Sequence, residues 1–447
     1  MRRHSGDANR KTDAVSEKPC RFRGALSELD RDSRAFLYRR DSARDSVVRD
    51  RTRQIISRVR QGGDGALREL ALELDGVRLD SLEVPRRLWR TALRELQPEL
   101  RSALERAAAN IARAHRAFVP RQAEVETEAG VRVGRRPDPL RRVGIYAPGG
   151  RASYPSSLLM AAVPARVAGV AEVIVCSPPA SSGLPAGVVL AAAELGQVDR
   201  LFALGGAGAI AAMAYGTDTV PRVDRIVGPG NAYVAEAKMQ LSGEVGIDLP
   251  AGPSELLAIA DAAADPKVIA REMLAQAEHD PDASVVTLAI GPGVADPIEA
   301  ALSDALLAGA RAEARRSLSA RGAVLSVSSL EEALDFAADF APEHLLLAVS
   351  APAAALEKVR NAGAVFVGET SSVAFGDYLT GANHVLPTAG LGRAYSGLSV
   401  TDFMRWTSYQ QVDRAAAARL AEDTGLLAES EGLPAHAAAA RAWRRQG

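Results

Sequence analysis

The chain is poor in cysteine, with only Cys20 and Cys176 among its 447 residues. Two widely separated cysteines exclude a disulfide framework and a cysteine-rich zinc site, and they favour a reducing compartment. The first 20 residues are charged and lack the apolar stretch of a secretory signal. We therefore expect a cytoplasmic protein.

The chain also lacks a large excess of charge and an uninterrupted hydrophobic run. Its formal net charge is −1, so its composition gives no reason to expect nucleic acid or an anionic membrane as a partner. The most apolar long segment, residues 158–175, contains Pro164, Arg166 and Glu172 and is not predicted to span a membrane. Hydrophobic residues make up 47% of the chain, which is enough for a sizeable core.

The N-terminal third shows no alternation of strands and helices. Residues 1–40 are polar and rich in arginine, and we interpret them as an arm whose first 20 or so residues are disordered. Residues 46–59 carry apolar side chains at helical spacing, and residues 85–118 are rich in Leu, Ala, Arg and Glu. Both stretches are predicted to be surface helices.

From residue 143 onward, short apolar runs alternate with alanine-rich helical stretches. This alternation is typical of a parallel sheet with helices on both faces. It occurs in two series, so we predict an α/β fold with two Rossmann-like, doubly wound units. The predicted strands are VGIYAP, EVIVC, LFAL and DRIV in the first series and ELLAIA, SVVTLA, AVLSV and AVFV in the second. The tail from residue 402 is predicted to be helical.

Four of the six histidines lie in short polar motifs of the C-terminal half. Gln276 and His279 are three residues apart in the helical stretch MLAQAEHD, so both project from one face and can supply a metal with an amide oxygen and an imidazole nitrogen. Taken alone, the pair favours the other interpretation, a polar helix end with a capping role. Glu431 and His436, in ESEGLPAH, either reach a neighbouring subunit or belong to a loop before the last helix.

Two further motifs combine a carboxylate with a histidine. Asp377 and His384 lie in the glycine-rich FGDYLTGANH, which suits either a mixed metal and substrate site or a solvated turn. Glu343 and His344 precede the apolar run LLLAV and can act as a base near neutral pH. The spacing alone slightly favours Glu343 as a carboxylate in the first turn of a helix.

Three glycine-rich turns are candidates for a nucleotide site. Residues 206–211 match the form GxGxxA, although alanine-rich sequences produce this match often. Residues 144–157 and 226–234 follow predicted strands and are better candidates, because open α/β sheets bind ligands at the strand ends. Cys176 also ends a predicted strand, where a buried apolar role is favoured over that of a thiol nucleophile.

Taken together and in order, these motifs resemble those of the histidinol dehydrogenase family. The resemblance runs from about residue 40 to residue 440 and is far more specific than any single motif. Its segments are GIYAPGGRASYPSSLLMAAVPARVAGV, DRIVGPGNAYVAEAK, DLPAGPSELLAIAD, AQAEHDPDA, APEHL, GDYLTGANHVLPT, SGLSVTDF and EGLPAH.

The resemblance implies a homodimeric zinc enzyme that oxidises L-histidinol to L-histidine with two NAD⁺, through an aldehyde that stays bound. It implies two Rossmann-like units with smaller N- and C-terminal dimerisation segments. We accordingly assign residues 1–40 to an N-terminal segment, 41–143 with 256–396 to a discontinuous α/β domain, 144–255 to an NAD-binding domain, and 397–447 to a C-terminal helical segment.

Carried over by motif, the resemblance assigns the zinc ligands and the catalytic pair. The zinc ligands would be Gln276, His279, Asp377 and His436, with His436 given by the partner subunit. His344 would be the general base in both oxidations, and Glu343 would activate the water that hydrates the aldehyde.

The resemblance also assigns contacts with substrate and cofactor. Tyr146 and Asn231 would line the NAD site. Gly208 departs from the family, which usually carries Gln there, and its loss of a polar contact predicts weaker NAD binding. The residues expected to contact histidinol are Ser254, Gln276, His279, His344, Asp377, His384, Glu431 and His436.

Two other functions compete with this one. The first is a dehydrogenase of the same fold that oxidises another small primary alcohol, such as a sulfonated diol. The second is a catalytically silent NAD-binding or scaffold protein. The intact EHD, PEH, GDY and PAH motifs argue against the second. The presence of Glu431, His384 and the complete set of expected zinc ligands argues against the first, because it favours an amino alcohol that carries an imidazole.

Overall fold

The computed structural model describes residues 19–40, 46–149, 153–248 and 252–444. The predicted disorder of the first 20 or so residues falls almost entirely outside this part of the chain. The described strands are β1 Phe22–Ala25, β2 Ala123–Glu128, β3 Val131–Pro139, β4 Arg142–Tyr146, β5 Glu172–Ser177, β6 Arg200–Ala203, β7 Arg225–Val227, β8 Gly246–Ile247, β9 Glu255–Ala260, β10 Ser284–Ile290, β11 Ala323–Val327, β12 His344–Ala348, β13 Ala364–Val367 and β14 Met404–Val412.

The α-helices connect and cover these strands. The described helices are α1 Arg31–Tyr38, α2 Ser46–Leu70, α3 Arg86–Glu95, α4 Pro98–Ala117, α5 Pro155–Ala168, α6 Gly187–Leu195, α7 Gly206–Tyr215, α8 Ala232–Leu241, α9 Pro266–Ala277, α10 Ala295–Leu307, α11 Ala312–Arg321, α12 Leu330–Phe340, α13 Pro352–Leu356, α14 Val373–Tyr378, α15 Arg414–Ser430 and α16 Pro434–Arg441. None of them is long and apolar enough to cross a membrane.

Two parallel sheets form the framework. Sheet A has the order β1-β11-β10-β9-β12-β13, and sheet B has the order β6-β5-β4-β7-β8. Apart from β1, the strand that comes first in the chain lies in the middle of each sheet: β9 in sheet A and β4 in sheet B. The next two strands in the chain lie on one side of it, β10 and β11 in sheet A and β5 and β6 in sheet B. This shared order confirms the predicted α/β fold with two Rossmann-like units. Each of the eight predicted apolar runs forms a strand of one of these sheets.

Apolar side chains bury both faces of sheet A, as expected for a parallel sheet covered by helices. Along β9, Leu257 and Ile259 face one core cluster, whereas Leu256 and Ala258 face another. This alternation follows from the two-residue period of a strand. The continuous apolar run ELLAIA therefore reflects a strand that is buried on both sides.

Helices α2, α3 and α4 pack on sheet B, whereas α1 packs on sheet A through Leu37. Ile55, Val59 and Leu67 of α2 belong to the same core cluster as Val143 and Ile145 of β4. The expected division, which joined residues 41–143 to the domain of sheet A, differs from this packing. The apolar stripe of α2 explains the difference, because its periodicity predicts a buried face but does not identify the neighbour that buries it.

Two other segments also differ from expectation. Phe22–Ala25, expected to be part of an arm, forms the edge strand β1 of sheet A beside β11. The tail, predicted to be helical from residue 402, first forms β14, which pairs antiparallel with β3. With β2 these two strands form sheet C, and only then do α15 and α16 follow. β14 is mostly exposed, so no apolar alternation distinguishes it from the alanine-rich helices that follow.

Candidate active site

A cavity of about 360 Å³ lies between the two Rossmann-like units. It is bordered by the loops after β4 and β7 of sheet B and by the starts of β9 and β12 of sheet A. Nine of the residues predicted for the site line it: Tyr146, Asn231, Ser254, Gln276, His279, Glu343, His344, Asp377 and His384. Gly208, Glu431 and His436 do not.

Sheet B places its two glycine-rich loops at the point where its strand order reverses. β5 lies on one side of β4 and β7 on the other, so the segments after β4 and β7 diverge and leave a crevice. Pro148 and Gly149 follow β4, while Pro229, Gly230 and Asn231 follow β7, and all of them line the cavity. This position agrees with the prediction that these two loops, rather than residues 206–211, form the nucleotide site.

The Glu343-His344 motif begins a strand, so the interpretation of Glu343 as a first-turn helix carboxylate is wrong. Helix α12 ends at Phe340, and Ala341 takes a left-handed conformation with φ of 47°. Pro342 then disfavours further helix, and the apolar residues from Leu345 enter sheet A as β12. Register places His344 beside Leu256, which brings the starts of β12 and β9 together at the cavity.

The imidazole of His344 is almost completely buried and is oriented by its Nδ1 atom. Nδ1 lies 2.9 Å from the backbone carbonyl oxygen of Glu255 and 3.4 Å from Oε2 of Glu343. Nε2 lies 3.7 Å from Oδ1 of Asp377 and makes no hydrogen bond within the described chain. Since a carbonyl oxygen only accepts, Nδ1 carries the proton, and in the neutral ring the free lone pair is on Nε2.

Charges at the site act on both His344 and Asp377. Burial lowers the pKa of His344, but the carboxylates of Glu343 and Asp377 more than reverse this effect and raise it to about 10. Burial by itself would raise the pKa of Asp377, whereas the nearby His344, His384 and His279 bring it below its ordinary value. Asp377 is therefore favoured in its ionised form, in which its carboxylate can bind a cation at the cavity wall.

A buried carboxylate that sequence reasoning missed, Glu255, lies behind Glu343 and His344. Its backbone N–H donates to Oε2 of Glu343 at 2.8 Å, and its side chain forms an ion pair with Arg40. Burial raises the pKa of Glu255 to about 7, although Arg40 opposes this shift. The adjacent Ser254, which was predicted, is the only signal in the sequence that could have drawn attention to it.

Gln276 and His279 reach the cavity from the end of α9. The side chain of Gln276 is nearly buried, and neither it nor the imidazole of His279 hydrogen-bonds to another side chain or backbone group of the described residues. Nearby, Gly376 packs against the Phe366 ring and allows α14 to present Asp377, since a Cβ at position 376 would lie 2.6 Å from that ring. The three expected ligands thus line one cavity, where Gln276 and His279 make no side-chain hydrogen bond within the described residues and Asp377 lies beside His344.

His384 has both ring nitrogens engaged. Nδ1 lies 2.8 Å from the backbone oxygen of Asp377, and Nε2 lies 3.0 Å from Oγ of Ser157. Burial lowers the pKa of His384, which favours the neutral ring that this pair of contacts needs. His384 therefore joins α5 of sheet B to the segment that carries Asp377.

The two residues expected at the NAD site also shape the loops of sheet B. The hydroxyl of Tyr146 accepts a hydrogen bond of 3.1 Å from the N–H of Gly206 at the start of α7. Oδ1 of Asn231 caps α8 by accepting from two backbone N–H groups, so its NH₂ group is left for other partners. Lys238 and Asp248 form a buried ion pair that also holds Gly228. Lys238 donates to the carbonyl oxygen of Gly228, and Asp248 accepts from the N–H of Gly228.

Gly208 lies away from the cavity, in the packed contact between α7 and α2. A Cβ there would lie 3.4 Å from Leu70 and 3.6 Å from Leu67. The position therefore faces apolar side chains, and the expected consequence of Gly208 for NAD binding stays a prediction without support from this geometry. Cys176 is completely buried in β5, and burial raises its pKa, which agrees with a core role.

Glu431 and His436 are exposed on the hairpin of α15 and α16. Several large apolar side chains on this hairpin and on the adjoining strand β14 are also exposed: Trp406, Val412, Leu426, Leu427, Leu433 and Trp443. Exposed apolar side chains in such number are typical of a protein–protein interface.

A larger and more open cavity of about 630 Å³ lies at the amino-terminal edge of sheet B. Its arginines are already engaged, Arg142 with Glu172 and Arg222 with the carbonyl oxygen of Glu244. The chemistry of the molecule is therefore concentrated in the smaller cavity between the two sheets.

Two Rossmann-like sheets with an imidazole and carboxylates in the crevice between them are typical of an α/β enzyme. The family model for histidinol dehydrogenase matches residues 38–444. The chain belongs to the histidinol dehydrogenase family, and it is an oxidoreductase of histidine biosynthesis.

Relatives and solved structures agree with this assignment. The histidinol dehydrogenase of Methanosarcina mazei is 46% identical over 396 residues, covering 88% of this chain and 92% of the relative. That of Xylella fastidiosa is 47% identical over 392 residues, covering 87% and 91%. The crystal structure of histidinol dehydrogenase from Elizabethkingia anophelis superposes with a TM-score of 0.91 at 31% identity, covering 95% of this chain and 98% of that one.

Proposed function

We propose that the enzyme oxidises L-histidinol to L-histidine in two successive steps, each reducing one NAD⁺, with the aldehyde bound between them. The observation that carries the proposal is the orientation of His344, which lines the cavity: its Nδ1 is held by the carbonyl of Glu255, while its Nε2 makes no hydrogen bond within the described residues. A cytoplasmic location remains a prediction from the sequence.

His344 acts as the general base in both steps. Its Nε2 takes the proton of the substrate hydroxyl while the hydrogen on the same carbon leaves as hydride. NAD⁺, when bound by the loops after β4 and β7, would accept that hydride. Glu343 takes a proton from the water that adds to the aldehyde carbonyl, and the resulting hydrate is oxidised as the alcohol was.

A zinc ion fits the residues at the cavity. Within the described residues, His, Cys, Asp and Glu form no cluster of three or more suited to a metal. Gln276, His279 and Asp377 nevertheless offer one amide oxygen, one imidazole nitrogen and one carboxylate, which zinc accepts when a further ligand completes the set. Zinc, when bound there, would orient the nitrogens of histidinol and offset the charge of Asp377 that favours protonated His344.

We infer that the fourth ligand, His436, and the substrate contact Glu431 come from a second subunit. Both are exposed on the α15–α16 hairpin and neither lines the cavity of its own chain. The exposed apolar side chains of that hairpin support a dimer in which it covers the partner's cavity.

A substrate panel tests the proposal against the alternative of a sulfonated diol. Purified, zinc-loaded protein is given NAD⁺ with L-histidinol or with a sulfonated propanediol, and NADH formation is followed by absorbance. We expect turnover with histidinol and at most a trace with the diol. Preference for the diol, or no turnover with histidinol at saturating NAD⁺, would contradict the proposal.

A further inference from the structure

We propose that Arg40 and Glu255 are a pair of positioning residues that hold Glu343 and His344 in their reactive orientation. The proposal rests on the proposed function for its kinetic consequence, but its structural content is independent of the substrate. Neither residue is among those that the sequence motifs assign to the site.

The backbone N–H of Glu255 contacts Glu343, and its backbone carbonyl oxygen contacts His344. Its N–H donates to Oε2 of Glu343 at 2.8 Å, and its carbonyl oxygen lies 2.9 Å from Nδ1 of His344. Its carboxylate in turn accepts the N–H of Glu343 at 3.3 Å and that of Ala389 at 2.6 Å. One residue therefore fixes the Glu343 carboxylate, the Glu343 backbone and the tautomer of the His344 ring.

Arg40 completes this arrangement from the N-terminal part of the chain. Its Nη1 donates to Oε2 of Glu255, its Nη2 donates to the carbonyl oxygen of Phe340, and its guanidinium lies 3.6 Å from the centre of the Phe340 ring. Both side chains of the pair are almost fully buried. Phe340 ends α12, so Arg40 ties the end of this helix to the start of β9, on either side of the Glu343-His344 segment.

Burying the two charges costs desolvation free energy, so a buried ion pair is not in itself a strong source of stability. Its placement instead suits the fixing of geometry, because a displacement of about 1 Å at a reacting group can lower a rate about 100-fold. Arg23 and Glu299 form a comparison pair beside sheet A, with Glu299 buried and neither residue at the cavity.

Glu255→Gln tests the proposal in the zinc-loaded full-length protein. Its Oε1 still accepts from Ala389, but an NH₂ group replaces the oxygen that accepts from Arg40 and Glu343. We expect kcat for histidinol to fall at least about 10-fold, with both KM values changing less than about 3-fold. The control Glu299→Gln should lower Tm by an amount similar to that of Glu255→Gln, while its kcat stays within about 2-fold of the wild type. An equal loss of kcat in both variants would overturn the proposal.

A readout without turnover separates this proposal from the function. In ¹⁵N-histidine-labelled protein, the Nδ1–H proton of His344 should give a downfield, slowly exchanging signal that disappears in His344→Gln. We expect it to weaken or vanish in Glu255→Gln and to persist in Glu299→Gln; persistence in both would overturn the proposal. If the wild type does not oxidise histidinol, the proposed function fails and this signal still decides the positioning role.

Arg40→Lys provides a second variant should Glu255→Gln not fold. It keeps the positive charge but cannot reach Glu255 and the Phe340 carbonyl together, so a smaller loss of kcat and a weakened Nδ1–H signal are expected. Wild-type kcat with an unchanged signal would count against the pair.

Discussion

In the proposed mechanism, the chemistry depends on the imidazole of His344. In His344→Gln no group at this position can accept the hydroxyl proton. We expect kcat to fall by about 10²–10⁴-fold, the usual contribution of a general base, while KM for histidinol changes little. Steady-state kinetics with His115→Gln as a control for loss of a buried histidine would test this. A kcat within a few-fold of the wild type would remove His344 from the mechanism.

Gly228 is a residue whose backbone conformation matters to the cofactor loop. Its φ is 113°, and a Cβ would lie 2.2 Å from the carbonyl oxygen of Tyr146. Gly228→Ala must therefore displace the loop that carries Asn231, and we expect KM for NAD⁺ to rise about 10-fold, equivalent to about 1.4 kcal/mol. Gly243→Ala, with open space around it, should leave KM unchanged. Equal KM values for the two variants would argue against a cofactor role for this loop.

At the residue scale, motifs predicted the groups that line the cavity better than the groups behind them. Glu343, His344 and Asp377 stand in polar motifs that break apolar surroundings, so they are visible in the sequence. Arg40 and Glu255 are not visible in this way. Arg40 lies in an arginine-rich segment, and Glu255 is the first residue of an apolar predicted strand. Their pairing depends on a contact between positions 215 residues apart.

Helix α4 contains a histidine that makes its packing sensitive to pH. Nδ1 of His115 accepts the backbone N–H of Val400 at 3.2 Å, and burial lowers the pKa of His115. Because the folded-state pKa lies below the unfolded value near 6.5, the unfolded chain takes up the proton first, and stability falls as pH drops below about 6.5.

The substitution His115→Gln isolates this effect, since Gln still offers an acceptor but does not titrate. We expect the Tm of the wild type to exceed that of the variant most at pH 7.5 and the difference to shrink toward pH 5.5. Thermal unfolding at several pH values would check this. A difference that is constant with pH would mean that His115 does not titrate on unfolding.

Elements were predicted where periodicity was strong. All eight apolar runs of the two series formed strands, because strands buried on both faces give continuous apolar segments. β12 was not predicted as a strand, because Pro342 and Glu343 also suit a helix start. β14 was not predicted either, because it is mostly exposed and no strong alternation marks it.

At the scale of the whole molecule, the proposed dimer completes each cavity with Glu431 and His436 of the other chain. Mixing His436→Ala with His344→Ala chains should restore activity, because one site of each mixed dimer then has both histidines. We expect about half of the wild-type activity per verified mixed dimer, as one of its two equivalent sites is intact. Inactive mixed dimers would show that His436 serves its own chain or none.

The relative placement of elements was the part that the sequence left open. The stripe of α2 predicts a buried face, yet only the fold shows that Val59 and Leu67 pack on α7. The same holds for the site, whose walls come from both sheets. Motif order identified the family, whereas the crevice between the sheets follows from how the two units pack.

The stoichiometry of NADH formation shows whether the enzyme carries out the proposed four-electron oxidation. Zinc-loaded enzyme is given a known amount of L-histidinol with excess NAD⁺, and NADH and histidine are both quantified, with a chelator-treated sample as control. We expect two NADH per histidine and no free aldehyde. Activity should be lost when the metal is removed and should return when zinc is added. One NADH per histidinol with release of the aldehyde would contradict the four-electron reaction and the role assigned to Glu343.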